Sequence, residues 1–300
     1  MVNEDMAISS DTPPRDTLVA VVTVSFGSED VLRPFLASLP AASAHPLTVV
    51  VIDNKADAAG NTVRSLASAA GATYLRLDAN HGYGGAINRA VASLPGDIEW
   101  IVVSNPDVTV TAGAIDTLLE SVRGQDLVAA VGPRILSADG SLYPSARSIP
   151  SLGSGVGHAL FGTLWPNNPW TRGYRRETGE AAVRRDAGWL SGAFLIVRRS
   201  VFERLGGFDE SYFMYFEDVD LGYRIGRLGL RNVYEPAATV VHTGAHSTNT
   251  DSRRMSRAHH DSARRFLTRK YSGPLLWPVR AALNLALLVR SRLVERRISH

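Results

Sequence analysis

The chain has no cysteine among its 300 residues. That excludes disulfides, thiolate zinc sites and a cysteine nucleophile, and it suits a reducing compartment. Residues 1–16 lack the apolar stretch of a signal peptide, so they read as a disordered lead-in to a catalytic part that stays cytoplasmic. A long apolar run is missing too. The best stretch, Pro274 to Val289, is shorter than the ~20 residues a spanning helix needs, and Arg280 interrupts it. Strong overall charge is also absent, at +3 net. The charge is unevenly placed, however. Residues 251–300 carry 12 Lys and Arg against 3 Asp and Glu, or +9, which leaves 20 against 26, or −6, for the first 250. A basic tail on a mildly acidic body points to an anionic surface as partner. No nucleic-acid partner is expected.

What is present is an ordinary globular composition, 45% apolar, enough for a sizeable core. Strand and helix patterns alternate through the first half. Leu18 to Val24, Leu47 to Ile52, Tyr74 to Leu77 and Trp100 to Val103 are short apolar runs. They read as buried strands. Between them, apolar residues recur at helical spacing: Val31, Leu32, Phe35, Leu36 and Leu39, after possible caps at Ser28 and Asp30; then Val63, Leu66 and Ala70; then Ala86, Ile87, Ala90, Val91 and Leu94. This rhythm predicts a Rossmann-like α/β fold, mostly parallel in its sheet and flanked by helices. Gly132 to Asp186 lacks periodicity and reads as long loops with short elements over a crevice. Residues 17–250 form the expected domain, and 251–300 an amphipathic helical tail.

Polar residues cluster where the strands end. Ser25, Asp53-Asn54, Asn80-His81-Gly82 and Asn105-Pro106-Asp107 would converge on one crevice, because ligands of open α/β sheets sit at the strands' carboxyl ends. Asp107 can bind Mg²⁺ or Mn²⁺ through oxygen and, through the metal, a diphosphate. Asn-Pro-Asp is equally a turn sequence. Asp53 reads as a contact to a base or ribose, or as a cap. The glycines from Gly82 to Gly85 allow close backbone approach to a phosphate ahead of the helix that holds Asn88. Glu217, Asp218 and Asp220 open a helix behind Tyr212, Phe213, Tyr215 and Phe216. Aromatic neighbours can stack on sugars and desolvate a carboxylate into a better general base. His242 ends an apolar segment and is followed by His246; it reads as a core histidine or a metal ligand.

Six markers carry a resemblance that runs from about Leu18 to Tyr271. They are Val22-Thr23-Val24-Ser25, Val51-Ile52-Asp53-Asn54, Asn80 through Asn88, Asn105-Pro106-Asp107, Trp189-Leu190-Ser191-Gly192-Ala193, and Gly206-Gly207-Phe208-Asp209 through Leu221. In this order they resemble the GT-A glycosyltransferases of family 2. The resemblance implies an inverting transfer from a nucleotide-diphosphate sugar. Ser25, Asp53, Asn80, Gly82, Asn88, Asn105 and Asp107 would face the donor, and Asp107 with His242 the metal, Asn105 standing where the first acid of a DXD-type motif often is. Asp218 would be the base, with Asp220 as rival. Trp189, Ser191, Gly192 and Glu217 would face the acceptor.

Tyr143-Pro144-Ser145-Ala146-Arg147, Trp165 to Trp170 and Tyr212 to Tyr215 narrow the resemblance to actinobacterial family members that build the cell-wall linker. Those use dTDP-L-rhamnose and polyprenyl-diphosphate-linked N-acetylglucosamine. A galactofuranosyl or N-acetylhexosaminyl transferase, a non-catalytic nucleotide-sugar or glycan-binding module, and a nucleotidyltransferase remain alternatives. For the tail, the apolar Trp277 segment between arginines suits peripheral attachment to the cytoplasmic face of the membrane. The competing reading is a helix packed on the body or on the second subunit of a homodimer.

Overall fold

The computed structural model describes residues 18–55, 61–151, 182–244, 252–278 and 281. The lead-in, the Trp165 to Trp170 marker, His246 and the tail beyond residue 281 lie outside these. The first half alternates as the sequence predicts: β1 (Val19–Ser25), α1 (Glu29–Ala42), β2 (Leu47–Asp53), α2 (Asn61–Ala69), β3 (Thr73–Arg76), α3 (Gly82–Ala92) and β4 (Trp100–Ser104). Then come β5 (Val108–Val110), α4 (Ala114–Ser121), β6 (Val128–Ser137), β7 (Leu142–Tyr143) and β8 (Ala146–Arg147). The remainder is β9 (Arg185–Ala187), β10 (Trp189–Leu190), β11 (Phe194–Arg198), α5 (Arg199–Arg204), α6 (Glu217–Arg227), β12 (Arg231–His242) and α7 (Ser252–Lys270).

The main sheet runs β3-β2-β1-β4-β11-β6-β12-β5. Its first four strands are parallel. β11 then inserts antiparallel between β4 and β6, and β12 returns parallel to β6. Both faces are covered, which is why the strands are continuously apolar rather than alternating. In β1 the period of two sends Val19 and Val21 to one core, with Phe35, Leu36, Val63 and Ile115 from α1, α2 and α4. Ala20 and Val22 face the other core, with Ile87, Phe202, Leu221 and Ile225 from α3, α5 and α6. A smaller cluster of Tyr212, Val219, Phe266 and Leu267 docks α7 on the body.

Two details differ from the sequence reading. The segment after Gly132 is not all loop, since β6 runs on to Ser137 and its later half pairs with β12 beyond a register shift at Glu235/Thr239. Its Gly-Pro start hid it, and Gly132 is closely packed, since a Cβ there would meet the Leu190 side chain at 3.1 Å. Ser28 begins α1, but its hydroxyl accepts from the Phe26 N–H at 3.3 Å instead of capping the helix.

Candidate active site

The strand ends converge as the topology requires. Ser25 and Asp53 are register partners at the ends of β1 and β2, and both are buried. Asp53 accepts from the Tyr74 hydroxyl at 2.9 Å and from the Lys55 N–H at 3.2 Å. Burial and that bond to Asp53 raise the Tyr74 pKa. The Ser25 hydroxyl is buried with no hydrogen-bond partner among the described residues. A buried polar atom left without a partner is costly, so Ser25 marks a place where a ligand can contribute one. Beside it Phe26 is 55% exposed. The sequence reading overlooked this side chain, whose position directly after a strand was the available signal. Its open face can stack on a planar ring.

Asn54 organises the next loop. Its amide donates to Asn80 Oδ1 at 3.0 Å and to the Gly82 carbonyl at 3.1 Å, and its oxygen accepts from the His81 N–H at 3.0 Å. Asn80 Oδ1 also accepts from the Gly82 N–H at 2.9 Å. Gly82 has φ +72, and a Cβ there would lie 2.2 Å from the Phe213 carbonyl oxygen. Only glycine allows this approach, which brings the loop ahead of α3 against the segment ahead of α6. Asn88, expected at the donor, is committed elsewhere. It accepts from the Phe208 N–H at 2.8 Å and donates to the Phe208 carbonyl at 2.9 Å and to Glu210 at 3.2 Å. The structure gives it the holding of the 208–210 backbone.

Asn105, Asp107 and His242 meet where β4 and β12 end. His242 Nε2 lies 3.1 Å from Asp107 Oδ1 and 3.3 Å from Asn105 Nδ2. Antiparallel pairing of β5 with β12 puts His242 opposite Val108, one residue from Asp107, across 134 residues of chain. The Tyr143 ring stands edge-on to His242 at 5.5 Å. An oxygen donor, an imidazole and a neighbouring amide suit a hard divalent cation that takes its other ligands from water and phosphate. No group of three or more His, Cys, Asp and Glu placed to hold a metal occurs among the described residues. A diphosphate would have to complete the coordination.

The turn 191–193 joins that corner to the acids. The Asn105 N–H donates to the Ala193 carbonyl at 2.9 Å. The Gly192 N–H donates to Asp218 Oδ2 at 2.9 Å, and the Gly192 carbonyl accepts from the Tyr83 hydroxyl at 2.7 Å. Burial, followed by the charges of Glu217, Asp218 and Asp107, pushes the Tyr83 phenol well up. Asp218 Oδ1 accepts from the Val219 N–H at 2.8 Å. Ser191 is buried and accepts from the Ala193 N–H at 3.2 Å, which shapes the turn.

The acids of α6 divide. Glu217 is buried, and its Oε2 has no hydrogen-bond partner among the described residues. Desolvation, then the adjacent Asp218 charge, raises its pKa to about 8. Desolvation raises Asp218 too. Asp220 is different: it is ion-paired with Arg224 at 2.5 Å and faces Arg269 at 3.6 Å, away from Gly192. It reads as a structural anchor, which leaves Glu217 and Asp218 as the crevice acids, and of these Asp218 is the one bonded to the 191–193 turn. Trp189 donates from Nε1 to the Ser148 carbonyl at 3.2 Å, and the Arg147 guanidinium lies 5.9 Å from its ring. Arg147 also lowers the Asp218 pKa through its charge. Sequence reading assigned no role to Arg147 or Tyr83, because both act through partners more than 40 residues away.

Comparison with known proteins gives the family and the fold. Residues 13–260 match the family described as "Glycosyltransferase like family 2". The chain is similar to the N-acetylglucosaminyl-diphospho-decaprenol L-rhamnosyltransferase of Mycobacterium tuberculosis, 44% identical over 93% of this chain and 95% of that one. It is 29% identical to the rhamnosyltransferase WbbL of Escherichia coli, over 84% of this chain and 94% of that one. Among solved structures, it resembles the Pyrobaculum calidifontis mannosyltransferase PcManGT in complex with GDP-Man and Mn²⁺, with TM-score 0.58 at 18% identity, covering 88% of this chain and 68% of that one. It also resembles GalNAc-T7 with UDP, GalNAc and Mn²⁺, with TM-score 0.55 at 13% identity, over 77% of this chain and 44% of that one. The chain belongs to glycosyltransferase family 2 and has the GT-A fold. It is a glycosyltransferase.

Proposed function

We propose that this enzyme transfers L-rhamnose from dTDP-L-rhamnose, with inversion, to polyprenyl-diphosphate-linked N-acetylglucosamine. The donor and acceptor follow from the similarity to the mycobacterial rhamnosyltransferase over nearly the whole of both chains. The observation that carries the mechanism is the bonding of the 191–193 turn to both the Asn105–Asp107 corner and Asp218. That turn would place a donor diphosphate and an acceptor hydroxyl on either side of one reacting carbon.

In this reading Asp53, Ser25 and Phe26 receive the thymine and its deoxyribose. Asp218 takes the proton of the acceptor hydroxyl. The hydroxyl oxygen bonds to the anomeric carbon as the bond from that carbon to the diphosphate oxygen breaks, on the opposite face. Burial favours such a base by lifting its pKa toward neutrality. Asp107 and His242 would hold Mg²⁺ or Mn²⁺, which supplies positive charge where the departing diphosphate gathers negative charge. Arg147 and Trp189 border the acceptor side.

The acceptor is lipid-linked, so the enzyme works at a bilayer. No helix among the described residues is long and apolar enough to cross a membrane. Peripheral attachment to the cytoplasmic leaflet is the arrangement we favour. Leu275 and Trp277 are 91% and 64% exposed directly after α7, which ends in Arg269 and Lys270. An exposed apolar edge beside cations suits the interface of an anionic membrane.

A donor panel tests the reading: dTDP-L-rhamnose, UDP-galactofuranose and UDP-N-acetylglucosamine against the polyprenyl-diphosphate acceptor. The dTDP sugar should be turned over preferentially, and Asp218→Asn should lose ~10²–10⁴-fold in rate while still binding donor. Preference for a UDP sugar would refute the rhamnosyl assignment. An active Asp218→Asn beside a dead Asp220→Asn would refute the choice of base.

A further inference from the structure

Glu217 and Asp218 follow a turn that ordinary residues resist. Tyr215 and Phe216 have φ +65 and +69, a left-handed conformation unfavourable for any residue with a side chain. Such a turn persists where its surroundings over-determine it. Here much of the surroundings lies on α7, a helix that touches no proposed substrate. The Ser262 hydroxyl donates to the Met214 carbonyl at 2.9 Å. His259 stands edge-on to Tyr215 at 5.5 Å and to Phe216 at 5.4 Å. Phe266 is buried 5.8 Å from the Phe216 ring.

A further hold is electrostatic, and it alone reaches both ends of the segment. Arg269 Nη1 pairs with Asp209 Oδ2 and lies 3.6 Å from Asp220 Oδ1. Asp209 begins the segment, where its other oxygen accepts from the Ser211 N–H at 2.9 Å. Asp220 ends it, buried in the first turn of α6, with Oδ2 on Arg224 and no hydrogen-bond partner on Oδ1. One guanidinium therefore bridges the two ends of the stretch that carries the turn and both crevice acids. A buried carboxylate with an incompletely satisfied oxygen depends on each nearby cation.

We propose that Arg269 is a positioning residue for the transfer reaction: by buckling Asp209 to Asp220 it fixes where Asp218 meets the acceptor hydroxyl. The proposal rests on Asp218 being the base. Because the reacting groups need alignment within about an ångström, loosening the buckle misplaces the base by enough to slow chemistry while leaving the donor corner at Asp53 and Asp107 alone.

The experiment uses the full chain with dTDP-L-rhamnose and polyprenyl-diphosphate-linked N-acetylglucosamine. Arg269→Gln should lower kcat by roughly 10- to 100-fold with the KM for donor nearly unchanged, and Arg269→Lys should recover part of the loss. The side chain of Arg269 is 53% exposed, so the variant is expected to fold, which a thermal melt checks. Asp209→Asn cuts the other end of the buckle and should give the same split. The readout specific to positioning is non-additivity. Added to Asp218→Asn, the Arg269→Gln change should cost no further rate, because it acts through a group already removed. A wild-type kcat in Arg269→Gln beside a dead Asp218→Asn would overturn the proposal alone. Multiplying losses in the double variant would also overturn it. An Asp218→Asn variant that keeps its rate would overturn the base assignment, and the proposal with it.

Discussion

Gly82 and Gly71 offer a matched pair for measuring what the close approach at the site is worth. Both have positive φ, +72 and +67, so replacing either by alanine incurs the same left-handed penalty, about 1–2 kcal/mol. They differ in surroundings. Nothing lies within 4 Å of a Cβ at Gly71, whereas a Cβ at Gly82 would meet the Phe213 carbonyl oxygen at 2.2 Å. Carbon–oxygen contacts normally stop at about 3.3 Å, so Gly82→Ala must push the 213 backbone away by roughly 1 Å. That shift breaks the bond from the Tyr83 N–H to the Phe213 carbonyl, now 3.2 Å, which adds about 1 kcal/mol to an overpacking cost of about 1–3 kcal/mol. Gly82→Ala should therefore melt roughly 3–6 °C below Gly71→Ala in a calorimetric or fluorescence scan. It should also turn over about 10²-fold more slowly at saturating donor, since the displaced segment leads straight into Glu217 and Asp218. Gly71→Ala should keep its rate. Equal melting points and equal rates for the two variants would show that the approach of the two loops has no bearing on the site.

Three further outcomes follow from the same geometry. Glu217 has a folded pKa raised above its unfolded value, so its stabilising contribution is fully present below about 4.5 and is lost as pH rises through about 8; the melting point of Glu217→Gln relative to wild type should rise between about pH 4.5 and pH 8 and level off above that, and a pH-independent difference would contradict this. Chelation should abolish transfer, restored by Mg²⁺ or Mn²⁺, and His242→Ala should raise the metal concentration needed; full activity in chelator would demote Asp107 and His242 to structural residues. Truncation after Ser272 should release the protein from anionic vesicles in a flotation assay, and the full chain should bind less at high salt; equal binding by both forms would show that the anchor lies elsewhere.

The alternation of strands and helices through Ser104 was legible because each element carries its own period and buries its own face. Asp53, Asn80 and Asp107 were legible because strand ends in such a sheet face one crevice. Residues 231–242 were harder: only their last apolar residues stood out, and pairing with β6 and β5 extends the strand and brings His242 to Asp107. The acids of α6 were visible as a cluster, yet their spacing alone did not rank them, and only the family resemblance put Asp218 ahead of Asp220. Asp218 and Asp220 are two residues apart on a helix, so they point roughly 200° away from each other. Which one faces the crevice depends on Gly192 and Arg224, residues that reach α6 only through the fold. Composition and periodicity are local and survive in the linear chain. The orientation of a charge, the removal of water from Glu217 and the span of Arg269 are set by partners distant in sequence, and only tertiary structure supplies those.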